Sequence, residues 1–174
     1  MLTIRNLLAG DIDSAIALQT RVYPAIPPFH ADQFAHLLEV FPRGQFAALL
    51  EERLVGIAVS LVVVWERYSV HHTWASITDA GTFRTHNPDF GHTLYGAEVC
   101  VSPEERGHGI GHALYEARRN LCRAMNLKRI IAGGRLPGYA RHATRMTPGE
   151  YAKRVIWGEF HDPVLRFQLD EGFD

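Results

Sequence analysis

Residues 95–111 read YGAEVCVSPEERGHGIG, an apolar run followed by a polar turn and three glycines at alternate positions. A strand is expected over Thr93–Val101, and apolar residues at helical spacing predict a helix over Ile110–Met125. Glycines let the backbone approach a ligand closely, and the N–H groups at a helix start attract anions. Arg106 adds a positive charge. The loop Arg106–Gly111 therefore predicts a cradle for a phosphate-bearing ligand.

The spacing of the glycines separates this loop from two common nucleotide-binding loops. A Walker loop ends in Gly-Lys-Ser/Thr, whereas Gly111 is followed by His112 and Ala113. A dinucleotide fingerprint reads G-x-G-x-x-G with an acidic residue about twenty positions later. Here the spacing is G-x-G-x-G, and Lys128 and Arg129 stand near that position. A tight turn without a ligand is the remaining alternative, although three glycines and an arginine exceed its needs.

The composition indicates one globular domain spanning residues 1–174. Of its residues, 47% are hydrophobic, and the formal net charge of −1 does not point to nucleic acid or a membrane as a partner. Cys100 and Cys122 form neither a disulfide framework nor a metal-ligand spacing, which favours free thiols in a reducing compartment. The first residues, MLTIRNLLAGD, do not resemble a signal peptide. A cytoplasmic location is expected.

The remaining pattern predicts an α/β fold with a mixed sheet. The long segment Glu66–His92 is polar and aromatic, with one short helix near Trp74–Ile77. In the helix over Ile110–Met125, Arg118 is expected to face water with its charged neighbours. The other expected strands are Leu2–Leu7, Gln45–Leu50, Leu54–Trp65 and Ile130–Ala132. The other expected helices run from about Asp11 to Val22 and over Ala31–Phe41, Thr147–Gly158 and Asp162–Glu171.

The strand and loop resemble motif A of the GNAT superfamily of acyl-CoA N-acyltransferases. The matching positions are Val99-Cys100-Val101, followed by Arg106, Gly109 and Gly111. A weaker match is FQLDEGF over Phe167–Phe173, which resembles the family's F-Y-x-x-x-G-F ending. The stretch GGRLPGY from Gly133 resembles GNAT domains that precede a carbon-nitrogen hydrolase domain.

This resemblance implies a GNAT-like, mostly antiparallel sheet flanked by helices, with acetyl-CoA as co-substrate. The backbone groups of Val99 and Val101 would pair with the pantetheine arm, and the N–H of Cys100 would polarise the thioester carbonyl. The amine would attack directly, without an acyl-enzyme. The pyrophosphate would bind the backbone of the loop residues Arg106, Gly107, His108, Gly109, Ile110 and Gly111.

Two residues are candidates for proton transfer. Glu98 lies on the strand of the acyl site and is the candidate base, its alternative being a glutamate that faces solvent or an arginine. Many family members carry an acidic tyrosine where this chain has Gln168, which cannot donate a proton in the same way. Tyr139 is the candidate substitute, its alternative being a packing aromatic. Cys100 has no identified base partner for covalent catalysis.

Other side chains leave their roles open. The adjacent histidines His71 and His72 lack the spacing of a zinc-binding pair, so no metal is predicted. We expect them, with Trp74 and Phe83, to belong to the acceptor pocket or its lid. A second set is either a solvated loop face or an anchor for acceptor or coenzyme: Arg135, Arg141, His142 and Arg145.

The sequence thus predicts an acetyltransferase that acts on a small-molecule or peptide amine. The alternative is a non-catalytic acyl-CoA-binding module that regulates a larger hydrolase. The family continues with strands after its Gly-Phe pair, here Gly172-Phe173, so the C-terminal strands are expected to be missing. We therefore expect either a covalently attached continuation or a homodimer that covers the edge of Ile130–Ala132. The alternative is that Leu136–Arg145 folds over that edge.

Overall fold

The computed structural model describes all residues from Met1 to Asp174. The chain divides into two compact units, Met1–Ala132 and Gly133–Asp174. The first unit contains a five-stranded sheet and four helices, and the second contains two helices. None of the helices has both the length and the apolar character needed to cross a membrane.

The strands of the sheet are β1 (Leu2–Asn6), β2 (Phe46–Leu50), β3 (Arg53–Val63), β4 (Thr93–Val101) and β5 (Arg129–Ala132). They lie in the order β1-β2-β3-β4-β5, so each strand lies beside its neighbour in the chain. Adjacent strands are antiparallel except β4 and β5, which are parallel. This confirms the predicted mixed, mostly antiparallel α/β fold.

Helices cover both faces of this sheet, which explains why β3 is buried along nearly its whole length. The helices of the first unit are α1 (Ile12–Val22), α2 (Ala31–Val40), α3 (Trp74–Thr78) and α4 (Ile110–Ala124). On one face, α1 and α2 pack Leu18, Phe34 and Leu37 against β3 and β4. On the other, α4 packs Ile110 and Leu114.

A β-bulge divides β4 into two halves. Gly96 lies opposite Ser60 and Glu98 lies opposite Val59, which leaves Ala97 as an extra residue. On the other side of β4, β5 pairs only with Thr93–Gly96. From Ala97 to Val101, β4 therefore pairs with β3 alone. We call the side of these five residues that faces away from β3 the open edge of β4.

The second unit contains α5 (Pro148–Ile156) and α6 (Pro163–Asp170), and no strand lies in residues 133–174. Thr147 and Glu150 form the predicted capping box, in which the Thr147 hydroxyl accepts the N–H of Glu150. The buried Asp162 carboxylate caps α6 through the Val164 and Leu165 N–H groups. These caps explain why both helices begin where the sequence predicts.

Candidate functional site

The loop between β4 and α4 has the backbone geometry of an anion cradle. Gly107 and Gly109 adopt left-handed conformations, with φ of +80° and +76°, which residues with a Cβ rarely take. A Cβ at either position would meet open space, so their backbone is accessible to a ligand. Gly109 is the N-cap of α4, whose first turn leaves N–H groups without helical partners.

The acidic side chains next to the cradle have partners within the protein. Glu105 forms an ion pair with Arg53 (2.5 Å), and Glu104 accepts a hydrogen bond from the Ser102 hydroxyl. That hydrogen bond lowers the pKa of Glu104. Arg106, in contrast, is exposed at the start of the cradle. The helix dipole and Arg106 together favour a bound anion.

The open edge of β4 presents backbone groups of alternate residues. Directly after β4, the Ser102 N–H donates to the carbonyl of Val55 in β3 (2.8 Å). Because such hydrogen-bonded pairs recur at every second residue, Cys100 directs its backbone groups to β3. Val99 and Val101 then direct theirs to the open edge, where an extended ligand could add as a further strand.

Three groups converge on this edge just beyond the bulge. Tyr23 directly follows the end of α1. Its hydroxyl lies 3.0 Å from Glu98 Oε1 and 3.3 Å from the Val99 carbonyl oxygen. Glu98 Oε1 also accepts the N–H of Val99 at 2.9 Å. A carboxylate, a phenol and a peptide group therefore share one point of the open edge.

The bulge itself is held by side chains from two helices. The Trp74 indole N–H donates to the carbonyl of Ala97 (2.9 Å). From the other face, Arg118 donates to the carbonyl oxygens of Val59 (2.8 Å) and Glu98, and to the Ser60 hydroxyl (3.0 Å). These contacts fix the backbone from which the Glu98 side chain projects.

The prediction that Arg118 faces water is wrong. Its side chain is 1% exposed, and its guanidinium lies over the Tyr115 ring, 5.1 Å from the centroid. Burial lowers the pKa of Arg118, and the nearby charge of Glu98 opposes that shift. Helical spacing indicated the correct side, because Arg118 lies four residues after Leu114 and three before Leu121, both buried. Its charge predicts exposure, whereas this spacing predicts burial.

Cys100 behaves as a core residue. Its side chain is 4% exposed, and burial raises the pKa of its thiol well above the ordinary value. A thiol that resists ionisation is a poor nucleophile. This observation agrees with direct attack by the acceptor rather than a covalent intermediate on Cys100.

The four residues of segment 66–92 expected near the acceptor lie in different surroundings. The His72 ring makes edge contacts with Trp65 and Tyr95, at centroid distances of 5.3 and 5.6 Å. Phe83 is fully buried against Phe29 and lies in the hydrophobic core. His71 is exposed. Of the four residues expected near the acceptor, Trp74 is the one that contacts the bulge.

Tyr139 lies in the second unit, where its hydroxyl donates to the carbonyl of Met146 (3.0 Å). Its ring lies beside Tyr151, with 5.7 Å between centroids. His142 stacks on Phe160 in the same unit (4.4 Å). Arg141 is exposed. Tyr139 thus has a structural partner, and its catalytic role stays a prediction.

Tyr23 is the residue of this site that sequence reasoning missed. It stands at the start of a proline-rich loop and 75 positions from Glu98. Its only local signal is its place directly after the last turn of an amphipathic helix. No spacing rule links that place to the open edge of β4.

The chain is similar in sequence to one family of acetyltransferases. Residues 12–143 match the family model described as the acetyltransferase (GNAT) family. "Probable hydrolase YhcX" from Bacillus subtilis is 45% identical over 99% of this chain, which spans only 33% of that protein. "Uncharacterized N-acetyltransferase YkwB" from the same organism is 38% identical over 97% of this chain and 76% of its own length. The first match fits the expected resemblance to domains that precede a hydrolase domain.

Two solved structures share the fold over nearly the whole chain. The loading GNATL domain of CurA from Lyngbya majuscula has a TM-score of 0.83 and 21% identity, covering 99% of this chain and 84% of its own. The GphF GNAT-like decarboxylase, solved with isobutyryl-CoA, has a TM-score of 0.74 and 24% identity, covering 98% and 85%. At these identities, both show a common fold.

Proposed function

We propose, from the premise that this chain belongs to the acetyltransferase (GNAT) family, that it transfers an acetyl group from acetyl-CoA to a small-molecule or peptide amine. The proposal is carried by one observation: the open edge of β4 leads directly into the cradle at the start of α4. The cradle Arg106–Gly111 suits a pyrophosphate, and the open edge of β4 suits the amide-rich arm attached to it.

In this proposal the coenzyme binds mainly through backbone groups. N–H groups of Gly107 and Gly109 and of the first turn of α4 would hold the pyrophosphate, with Arg106 as a cationic partner. The pantetheine amides would pair with the backbone groups of Val101 and with the carbonyl of Val99. This arm would direct the thioester toward the bulge, where Glu98 lies.

The chain then supplies groups for three parts of amine acetylation. Glu98 would take the proton that the attacking amine loses, directly or through one water. The tetrahedral oxyanion needs an N–H donor at the open edge. The alternation of β4 favours the N–H of Val99 over that of Cys100 as this donor, and binding would release the Val99 N–H from Glu98. The sequence offers Tyr139 as the candidate acid for the departing thiolate.

The chain spans about one third of the hydrolase relative and three quarters of the acetyltransferase relative. A covalently attached hydrolase domain is therefore part of the proposal, as is the alternative of a homodimer. The acceptor of the whole protein is proposed only as a class, an amine.

The test is release of free CoA from acetyl-CoA in the presence of a panel of small amines and peptides. Amine-dependent thiol release that is lost in Glu98→Gln is the expected result. Binding of acetyl-CoA without turnover of any amine would favour the regulatory acyl-CoA-binding module instead. Absence of acetyl-CoA binding would contradict both functions.

A further inference from the structure

We propose that Tyr23 is the residue that protonates the leaving thiolate, and that it does so in a proton relay with Glu98. This inference rests on the proposed acyl transfer and adds a catalytic residue to it. It is carried by the position of the Tyr23 hydroxyl, which reaches both the Glu98 carboxylate and the Val99 carbonyl at the open edge of β4.

The backbone around Tyr23 holds this hydroxyl in place. Tyr23 is the C-cap of α1, and its N–H donates to the Gln19 carbonyl at 2.8 Å. Gln19 is itself buried, and its side-chain oxygen accepts the N–H of Phe29. The ring is therefore anchored at both ends, by a helix end and by the Glu98 carboxylate, and is only partly buried.

The pairing of a phenol with a carboxylate couples the two proton transfers. An ionised carboxylate can only accept, so before reaction the Tyr23 hydroxyl donates a hydrogen bond to Glu98 and keeps its proton. Once Glu98 takes the proton of the attacking amine, its carboxyl O–H becomes a donor toward the Tyr23 oxygen. The Tyr23 O–H is then released to turn toward the sulfur.

The complete step balances within the chain. The amine nitrogen forms a bond to the thioester carbon and loses one proton to Glu98. The carbon–sulfur bond breaks, its electron pair stays on sulfur, and the Tyr23 proton converts the thiolate to CoA thiol. The tyrosinate then recovers a proton from the Glu98 carboxylic acid, so both side chains return to their starting states.

Tyr139 does not offer this coupling, because its hydroxyl donates to a backbone carbonyl of Met146. A carbonyl oxygen cannot become a donor, so no reversal of that hydrogen bond can follow amine deprotonation. The geometry therefore favours Tyr23 as the acid.

The test compares CoA with desulfo-CoA by calorimetry at about pH 9, close to the ordinary pKa of a thiol. It uses Glu98→Gln, whose side-chain N–H can donate to the Tyr23 oxygen as protonated Glu98 would, which leaves the Tyr23 O–H free for the sulfur. Charge-assisted hydrogen bonds exceed neutral ones, so Glu98→Gln should prefer CoA by about tenfold. Adding Tyr23→Phe should abolish this preference and leave the affinity for desulfo-CoA unchanged, whereas adding Tyr68→Phe, another partly buried tyrosine of the first unit, should keep the preference. Equal preferences in Glu98→Gln with and without Tyr23→Phe would overturn the proposal.

Turnover separates this inference from the proposed function. With acetyl-CoA and a high concentration of ethylamine as the probe acceptor, Tyr23→Phe should lower kcat by about 10²-fold, whereas Tyr139→Phe should change it less than about threefold. The reverse order of effects would assign the acid to Tyr139. A sulfur preference in Glu98→Gln, without turnover of any amine by the parent, would contradict acetyl transfer while leaving the Tyr23–sulfur contact established.

Discussion

The two halves of β4 complete their backbone hydrogen bonds in different ways. Thr93–Gly96 lie between β3 and β5 and are paired by strands on both sides. Ala97–Val101 pair with β3 alone, and side chains serve the open edge: Trp74 bonds the Ala97 carbonyl and Tyr23 the Val99 carbonyl. The first half builds the sheet, whereas the second half can exchange side-chain partners for a ligand.

The edge of β3 offers a second comparison, because its backbone groups are paired by other parts of the chain. Beyond the end of β2, the edge of β3 is also served by other parts of the chain. Gln45 bonds both backbone groups of Ser60, and His86 and Asn87 bond those of Val62. These contacts pair the backbone of β3 with the chain itself, so this edge is closed. A functional edge requires a neighbouring site for the rest of the ligand.

The largest expected effect comes from removing the cradle while keeping the edge. Gly109→Val places a branched side chain at φ +76° in the space proposed for the pyrophosphate, so acetyl-CoA binding should be abolished. Gly158→Val is the matched control, because Gly158 has φ +80° and similarly open surroundings after α5. Both variants carry a backbone cost of about 1–2 kcal/mol. Equal calorimetric affinities in the two variants would remove the cradle from the account.

Altering the chemistry of the edge should affect rate rather than binding. Glu98→Gln keeps the size of the side chain but cannot accept the amine proton, so the rate at neutral pH should fall by about 10²-fold. Acetyl-CoA affinity should stay within about twofold of the parent, since the backbone carries binding. The measurement is the pH–rate profile with an amine that the parent acetylates. Identical profiles would make Glu98 a structural residue.

Loosening the bulge tests whether the two halves depend on Arg118. Arg118→Met leaves the carbonyl oxygens of Val59 and Glu98 without this donor, so the free energy of unfolding should fall by about 1–3 kcal/mol. Arg123→Met, on the exposed side of the same helix, should change it by less than about 0.5 kcal/mol. Urea denaturation gives both values. A stable Arg118→Met variant with full activity would show that the bulge needs no such clamp.

The free energy of unfolding should depend on pH through His86, which bonds the edge of β3. Burial lowers the pKa of His86 from 6.5 to about 4, with a smaller contribution from His36. Between these values the unfolded chain binds more protons, so stability should decrease as pH falls from 6.5 to about 4. His86→Asn, which keeps an acceptor for Val62 but cannot titrate, should reduce this loss by on the order of 1 kcal/mol. Parallel stability curves for parent and variant would contradict the assignment.

The sequence specifies the fold through local signals that need no distant partner. The strand Thr93–Val101 was predicted with its observed bounds, and the helix starts after Asp162 and Thr147 follow from their caps. The hairpin of β2 and β3 follows from two apolar runs around Glu51 and Glu52, both with positive φ.

The site was less predictable because its contacts join distant parts of the chain. The cradle is one continuous segment, so its glycine pattern is readable. The bulge at Ala97 depends on the pairing of β4 with β3, and the Tyr23–Glu98 bond depends on where α1 ends over the sheet. The charge of Arg118 predicts exposure to water, whereas its helical spacing indicates the core, where the side chain lies.

The central claim is that the coenzyme arm adds to the open edge of β4, and residue-resolved amide exchange tests it most directly. With saturating acetyl-CoA, the amides of Val99 and Val101 should become more protected, as should those of Gly107 and Gly109. The Cys100 amide, already directed to β3, should change little. Saturation of the protein without added protection at Val99 and Val101 would contradict the account.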